Sequence, residues 1–427
     1  MSQSVSQSAS QISDIGSAMR GPQAAAGTVK RRVVVTMTVS TGAVIGNLYY
    51  AQPLEASLAR SFHASTGAIG AVLTLIQVGY ALGLATLVPL GDLLERRRLL
   101  TGLLAAVVVG MAGMAAAPSV PLLACAAAMV GLTTVAVQII VPFAAHLSAG
   151  PQQGRVVSTV MSGLLLGILL SRTMSGLVAQ VAGWRAVFVM GAVLTAAIAV
   201  LLWRELPSLA PTTKLPYPTL LASVVQLIRE EPVLRMRMLF GALSFGSFSV
   251  FWTSAGFLLS RAPYGWNSSE IGLFALLGAV GAMTAKFAGR LADRGLARVA
   301  TGGFLLVMAL SYVLLDLGGT SVVALGIGVA VMDLGCQGAH ISNQSLVYPL
   351  RPDARSRLNT AYMTAYFLAG AMGSAASAAV YASSGWSGVC LLGAALPTAA
   401  CVAWLIEAAL HRRGAGIRPA ADEPGTS

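Results

Sequence analysis

About a dozen apolar runs follow one another between residues 33 and 410, each close to the roughly 20 residues that a helix needs to cross a bilayer. A chain built this way is a polytopic membrane protein. Ionisable residues make up only 10% of its 427 residues, and its mean hydropathy of +0.77 exceeds what a soluble core of this size requires.

The runs read as helices over Val33 to Leu54, Gly67 to Leu90, Leu99 to Ala117, Leu122 to Leu147, Val156 to Ala182 and Trp184 to Leu202. A polar stretch from Arg204 to Arg237 follows. Six more spans cover Met238 to Leu259, Ile271 to Ala288, Val299 to Leu317, Val322 to Tyr348, Leu358 to Ser383 and Gly388 to Leu410. The expected organisation is therefore an N-terminal tail (1–32), a six-helix bundle (33–203), a linker (204–237), a second six-helix bundle (238–410) and a C-terminal tail (411–427).

The net charge of +12 does not point to nucleic acid, because the basic residues form no patch. Of the 27 Lys and Arg, 22 fall in the two tails and in the connections after even-numbered spans, and three, Arg60, Arg185 and Arg261, fall on the other side. Basic residues stay cytoplasmic, so both termini and the central linker are expected inside the cell, in the plasma (inner) membrane. Residues 1 to 29 lack the layout of a signal peptide and read as a disordered tail. Four prolines between Arg204 and Pro218 mark a linker, and Leu220 to Arg229 fits a short interfacial helix. Cys125, Cys336, Cys390 and Cys401 lie inside spans without metal-ligand spacing, which suggests neither disulfides nor zinc. No cofactor is expected.

The two halves repeat. Arg155, Met161 and Gly183-Trp184 recur 202 positions later as Arg357, Met363 and Gly385-Trp386, and Asp92 recurs 201 positions later as Asp293. A parallel repeat of six-helix units is one of the recurring plans of secondary transporters, with the substrate site between the halves near the midplane.

From about Val33 to Leu410 the chain resembles the major facilitator superfamily. Gly289-Arg290-Leu291-Ala292-Asp293-Arg294, after the eighth span, is similar to the family's loop signature. Its first-half copy, Val88-Pro89-Leu90-Gly91-Asp92 with Arg96, Arg97 and Arg98, keeps the Leu, the Asp and the basic cluster but has Val88 in place of Gly and Leu93 in place of Arg. The resemblance implies that these loops act as a gate, in which the Asp caps a helix end and pairs with Arg across the bundle. Charge-assisted bonds of this kind can be broken by motion; the alternative is that Asp92 and Asp293 are solvated loop acids. Two departures stand out. The fourth span has Ala127 where many proton-coupled members carry Arg, and the fifth has Ser171-Arg172 in place of the Gly-Pro pair of antiporters.

Arg172 costs roughly 2.5 to 3.5 kcal/mol in mid-span and is expected to face protein or a water-filled cavity. Depth counting allows a pair with Asp333; the alternatives are snorkelling and bonds to helix carbonyls. In the tenth span, Asp333, Gln337, His340 and Gln344 stand at i, i+4, i+7 and i+11, on one narrow face. The resemblance places that helix at the central cavity. A carboxylate that changes its exposure between states can load and release a proton, which makes Asp333 the candidate coupling acid. A structural polar network and a substrate-binding role are the competing readings. Candidate substrate-cavity residues are Asn47, Tyr49, Tyr50 and Gln52 in the first span, Gln138 in the fourth, and Phe251 and Trp252 in the seventh. Tyr and Trp near helix ends serve as interfacial anchors equally often. The glycine pairs Gly79/Gly83, Gly163/Gly167 and Gly278/Gly281 let helices approach closely, either as static packing or as sliding surfaces between halves.

Other classes fit poorly. Lys30, Lys214 and Lys286 are the only lysines and none follows a glycine, so a phosphate loop is missing, and no hydrolase or zinc-protease motif occurs. A transporter, not an enzyme, is expected: an all-α membrane protein of twelve helices in two pseudo-symmetric bundles. Its expected partners are a small organic solute, the proton and the lipid bilayer, with a monomer as the working unit. Proton-coupled efflux is the leading expectation and proton-coupled uptake the alternative.

Overall fold

A computed structural model describes residues 31–148, 153–208, 216–278, 284, 287–292, 294–351 and 354–415. Among these the chain is helical, with no strand. The passes are α1 (Arg31–Gly46), α2 (Thr66–Thr86), α3 (Arg96–Ala116), α4 (Val120–Thr134 continued by Ala136–Leu147), α5 and α6 within Gln153–Glu205, α7 (Pro232–Leu259), α8 (beginning at Ser268–Phe274), α9 (Ala297–Leu317), α10 (Val322–Val347), and α11 and α12 within Arg355–Ala415. A linker helix, Tyr217–Glu230, begins at Pro216 and leads into α7.

Eight described helices are long and apolar enough to cross a membrane by length and composition. Two of them contain a reversal. Gly183 (φ 80°, ψ 166°) breaks Gln153–Glu205, and Gly385 (φ 65°, ψ −156°) breaks Arg355–Ala415. These angles fall in a region that is essentially closed to residues with a Cβ. The packing on either side proves the turn. Along α5, Gly163, Gly167, Ser171 and Ser175 meet Thr38, Gly42, Gly46 and Tyr50 in ascending order. Along α6 the order is inverted, with Gly191 at Tyr50, Thr195 at Asn47 and Glu205 at Arg32. The second half repeats the arrangement. Gly241, Gly246 and Ser254 of α7 meet Tyr362, Ala369 and Ser377 of α11, whereas Ser247 and Arg237 meet Gly393 and Glu407 of α12.

The first span departs from its expected length. The α-helix stops at Gly46, a turn occupies 47–51, and a 3-10 helix, Gln52–Leu54, leads into a short helix, Glu55–Ser61. Pro53 accounts for the break, since it has no N–H for the Tyr49 carbonyl and its ring crowds that turn. In α4 the interruption falls at Val135, and Pro142 sits inside the second piece.

Arg31 and Ala415, the first and last described residues, lie at the same, proximal end of the bundle; the other end is distal. Contacts between the bundles run from the distal end to the centre. Ser57 Oγ lies 3.3 Å from Ser268 Oγ, Ser269 Oγ donates to the Gly176 carbonyl at 3.1 Å, and Thr173 Oγ1 donates to the Gly272 carbonyl at 2.9 Å. Thr74 Oγ1 donates to Ser374 Oγ at 3.2 Å, and Ser249 Oγ to Gln77 Oε1 at 3.2 Å. The rings of Tyr80 and Phe367, 4.4 Å apart, close the series near mid-depth. The distal end is shut.

The glycine pairs do not lie between the bundles as sliding surfaces. Gly79 and Gly83 press on Ala128 and Leu132 of α4, and Gly163 and Gly167 on α1, all within one half. Gly278 sits against Asp333, and Gly281 lies outside the described residues.

Candidate functional site

Where the bundles meet at mid-depth, a cavity enclosing about 400 Å³, part of it open, is bordered by Tyr49, Gln52, Gln77, Tyr80, Phe245, Phe248, Ser249 and Phe367, with Leu48 and Leu73 behind them. A second space of about 270 Å³ continues toward the distal end past Gln52, Arg172, Trp252 and Gly256. The lining is mainly aromatic with a few amides and hydroxyls, the chemistry of a site for a small organic molecule. The α7 contribution follows from helix periodicity: Phe245, Phe248, Ser249 and Trp252 stand at i, i+3, i+4 and i+7 and share one face.

Arg172 is 3% exposed and built into this wall. Its Nε donates to Gln52 Oε1 at 2.7 Å, and its guanidinium lies 4.1 Å from the Trp252 ring centroid, 4.8 Å from Tyr49 and 5.9 Å from Phe248. Three aromatic faces supply part of what burial takes from the cation. The anticipated ion pair with Asp333 does not form. No contact within ion-pair distance joins them, because Gln52 and the aromatic rings hold the guanidinium on the α1/α7 side. Arg172 Nη2 and Asp333 Oδ1 are both buried without hydrogen-bond partners.

Asp333 is 5% exposed on α10 and packs beside Gly278 of α8, where a Cβ would collide with its carboxylate. The rest of its stripe turns toward α11. His340 Nδ1 is 3.2 Å from Tyr362 Oη, its ring lies 4.7 Å from that of Tyr366, and Gln344 Nε2 makes a long contact of 3.9 Å with Met363 Sδ. Gln337 is half-buried on the same face.

Other expected cavity residues divide. Tyr49, Gln52 and Trp252 line the spaces. Gln138 donates from Nε2 to Tyr80 Oη at 3.1 Å, one layer behind the wall. Asn47, Tyr50 and Phe251 do not face the cavity. Asn47 donates to Thr195 Oγ1 at 3.1 Å and ties α1 to α6, Tyr50 packs on Gly46 and Gly191, and Phe251 is fully buried between Trp252 and Trp386. In α7 one residue is a 100° rotation, so Phe251 points away from the space that its neighbour Trp252 lines.

In the proximal loop between α2 and α3, Asp92 pairs with Arg96 at 3.3 Å and Arg96 Nε donates to the Gly91 carbonyl at 3.0 Å. Arg97 lies 4.5 Å over the Trp203 ring and donates to the Leu206 carbonyl at 3.4 Å. Glu95 caps α3 by accepting from the Arg98 N–H at 3.2 Å. In the matching loop after α8, Gly289 and Arg294 are described, with Arg294 N–H donating to the Arg290 carbonyl at 3.3 Å, whereas Asp293 and Lys286 lie outside the described residues.

Sequence reasoning missed two buried acids. Glu55 is fully buried at the seam between the bundles. Glu407 of α12 holds Arg237 of α7, a fully buried residue that composition had assigned to the linker, with Phe240 4.7 Å under the guanidinium.

Two parallel-repeat bundles of apolar helices around a central, mainly aromatic cavity define a membrane transporter. Residues 34–374 match the family model of the Major Facilitator Superfamily, and the chain belongs to that family. It is 45% identical over 372 residues to the "Uncharacterized transporter YgaY" of Escherichia coli O157:H7, covering 87% of this chain and 94% of that one. It is 32% identical over 403 residues to "Probable transporter SCO4007" of Streptomyces coelicolor, covering 94% and 90%. The fold is also that of solved structures at low identity. A bacterial homolog of the human lysosomal transporter Spinster, inward-facing and occupied, superposes with a TM-score of 0.70 at 13% identity, over 88% of this chain and 96% of that one. A mutant form of the nucleoside transporter NupG gives 0.68 at 15%, over 88% and 99%.

Proposed function

We propose that this protein is a proton-coupled secondary transporter that exports a small organic solute by alternating access. The observation that carries the reading is the pair of buried polar atoms at the centre, Arg172 Nη2 on α5 and Asp333 Oδ1 on α10, each without a hydrogen-bond partner and facing one another across the bundles without an ion contact. An acid with an unspent lone pair beside a mobile interface takes a proton when buried and gives it up when water or the guanidinium reaches it. The bundles on either side of the linker rock against each other about this site. His340, Gln337 and Gln344 extend the polar path along α10 toward the proximal end, and Tyr49, Gln52, Phe248 and Trp252 contact the solute.

The proximal end is cytoplasmic in this reading, on the strength of the basic residues gathered there, and the protein sits in the inner membrane. The pairs around Asp92 and Arg96, with Arg97, Gly289, Asp293 and Arg294, form the cytoplasmic gate. Ser171-Arg172 at the position of the antiporter Gly-Pro favours proton symport as the second reading.

The test is dissipation of a preset pH gradient in inverted vesicles on addition of cationic, neutral and anionic solutes. Wild type should respond to at least one solute and Asp333→Asn to none. A response that persists in Asp333→Asn removes Asp333 from coupling. Silence across the panel in wild type, together with solute-driven proton movement in right-side-out vesicles, favours symport.

A further inference from the structure

Glu55 opens the short helix that follows the first span, and neither carboxyl oxygen has a hydrogen-bond partner although the residue is fully buried. It is wedged into the distal seam. A Cβ on Gly256 of α7 would stand 3.0 Å from Glu55 Oε2, so the carboxyl rests directly on the backbone of the opposite bundle. The Gln52 carbonyl oxygen borders the same point at 3.3 Å. Two residues beyond Glu55, Ser57 meets Ser268 of α8 across the same seam.

The ionisable groups around the seam leave the carboxyl without a counter-charge. Tyr381 of α11 is within electrostatic reach, and the Arg261 guanidinium at the end of α7 lies over that tyrosine ring at 5.6 Å. On the same short helix Arg60 bonds to Ser57 Oγ at 3.4 Å. On α8, Glu270 accepts from the Asn267 N–H. On α5, Arg172 is engaged by Gln52. On α2 the ionisable residue is Tyr80, at mid-depth beyond the seam.

We propose that Glu55 is a second proton-binding site, separate from Asp333, that fastens the distal seam when protonated and releases it when ionised. A buried carboxylate with no donor is unstable, so ionisation requires water, and water reaches the group only if α7 withdraws from the short helix. Gly256 makes the fit possible by giving the carboxyl room against the backbone. The proposal rests on the alternating-access reading above but not on Asp333 as the coupling acid.

The test places spin labels at Ser61 and Ser383, exposed distal positions on the two bundles, in full-length protein with Cys125 and Cys401 replaced by serine, in lipid nanodiscs. Distance distributions are recorded between acid and alkaline pH. Wild type should shift from a short to a long distance as pH rises, Glu55→Gln should remain short throughout, and Asp333→Asn should shift as wild type does. Glu55→Leu, which removes the titration and keeps the bulk, repeats the measurement should the amide variant not fold. A wild type without a pH-dependent shift overturns the proposal, and so does a shift that survives in Glu55→Gln or Glu55→Leu. A shift abolished by Asp333→Asn and kept by Glu55→Gln overturns it while leaving the central site intact.

Discussion

Arg237 and Glu407 pair inside the second bundle, between α7 and α12, where neither touches the cavity. Removing the cation alone leaves a buried carboxylate without its guanidinium, a loss of about 3 to 5 kcal/mol in comparable pairs, whereas replacing both by apolar residues is often neutral. Arg237→Met should therefore lower the thermal unfolding midpoint of the purified protein markedly, and Arg237→Met with Glu407→Leu should recover most of it. Additive losses would mean that the two residues act separately. The pair also shows where composition stops being informative. Arg172 and Asp333 stand out because each interrupts an apolar run, but Arg237, Glu407 and Glu55 lie near the ends of runs, where a charge is ordinarily solvated. Only packing reveals that they are buried. The face of α7 that lines the cavity was present in the sequence as Phe245, Phe248, Ser249 and Trp252, but the aromatic cluster at 251–252 drew attention to Phe251, one residue and a 100° rotation away.

At the scale of elements, the repeat was legible because it needs only spacing: Gly183 and Gly385, 202 positions apart, become the two reversals. Nothing lies within 4 Å of a Cβ added at either glycine, so the requirement is conformational and not steric. Gly183→Ala and Gly385→Ala should each cost about 1 to 3 kcal/mol, the range for a residue held in a backbone region that only glycine ordinarily occupies. Thermal unfolding of both variants should show similar decreases; no decrease in either would contradict the assigned backbone. The break in the first span was less legible, since Pro53 looked like the end of a helix and not the start of a separate turn. The interruption of α4 at Val135 directly follows Thr133-Thr134, whose hydroxyls bond to the Met129 and Val130 carbonyls, a signal too common in membrane helices to mark a break.

For the whole molecule, hydropathy and the repeat fixed the class of fold, and the family match over 34–374 agrees with it. Which surfaces slide was not legible, because a glycine pair looks the same whether it packs on its own bundle or on the other. The contacts of the closed distal end come instead from single small residues, Ser57, Thr74, Thr173 and Ser269 with their partners, too ordinary to be read as a pattern. In the proposed mechanism Asp333 couples protons to movement without being needed for the movement itself. Proteoliposomes loaded with a solute that the wild type carries would separate the two by comparing equilibrium exchange with transport driven by a pH gradient. Asp333→Asn should keep exchange and lose gradient-driven transport. Gradient-driven transport at the wild-type level in Asp333→Asn would contradict it.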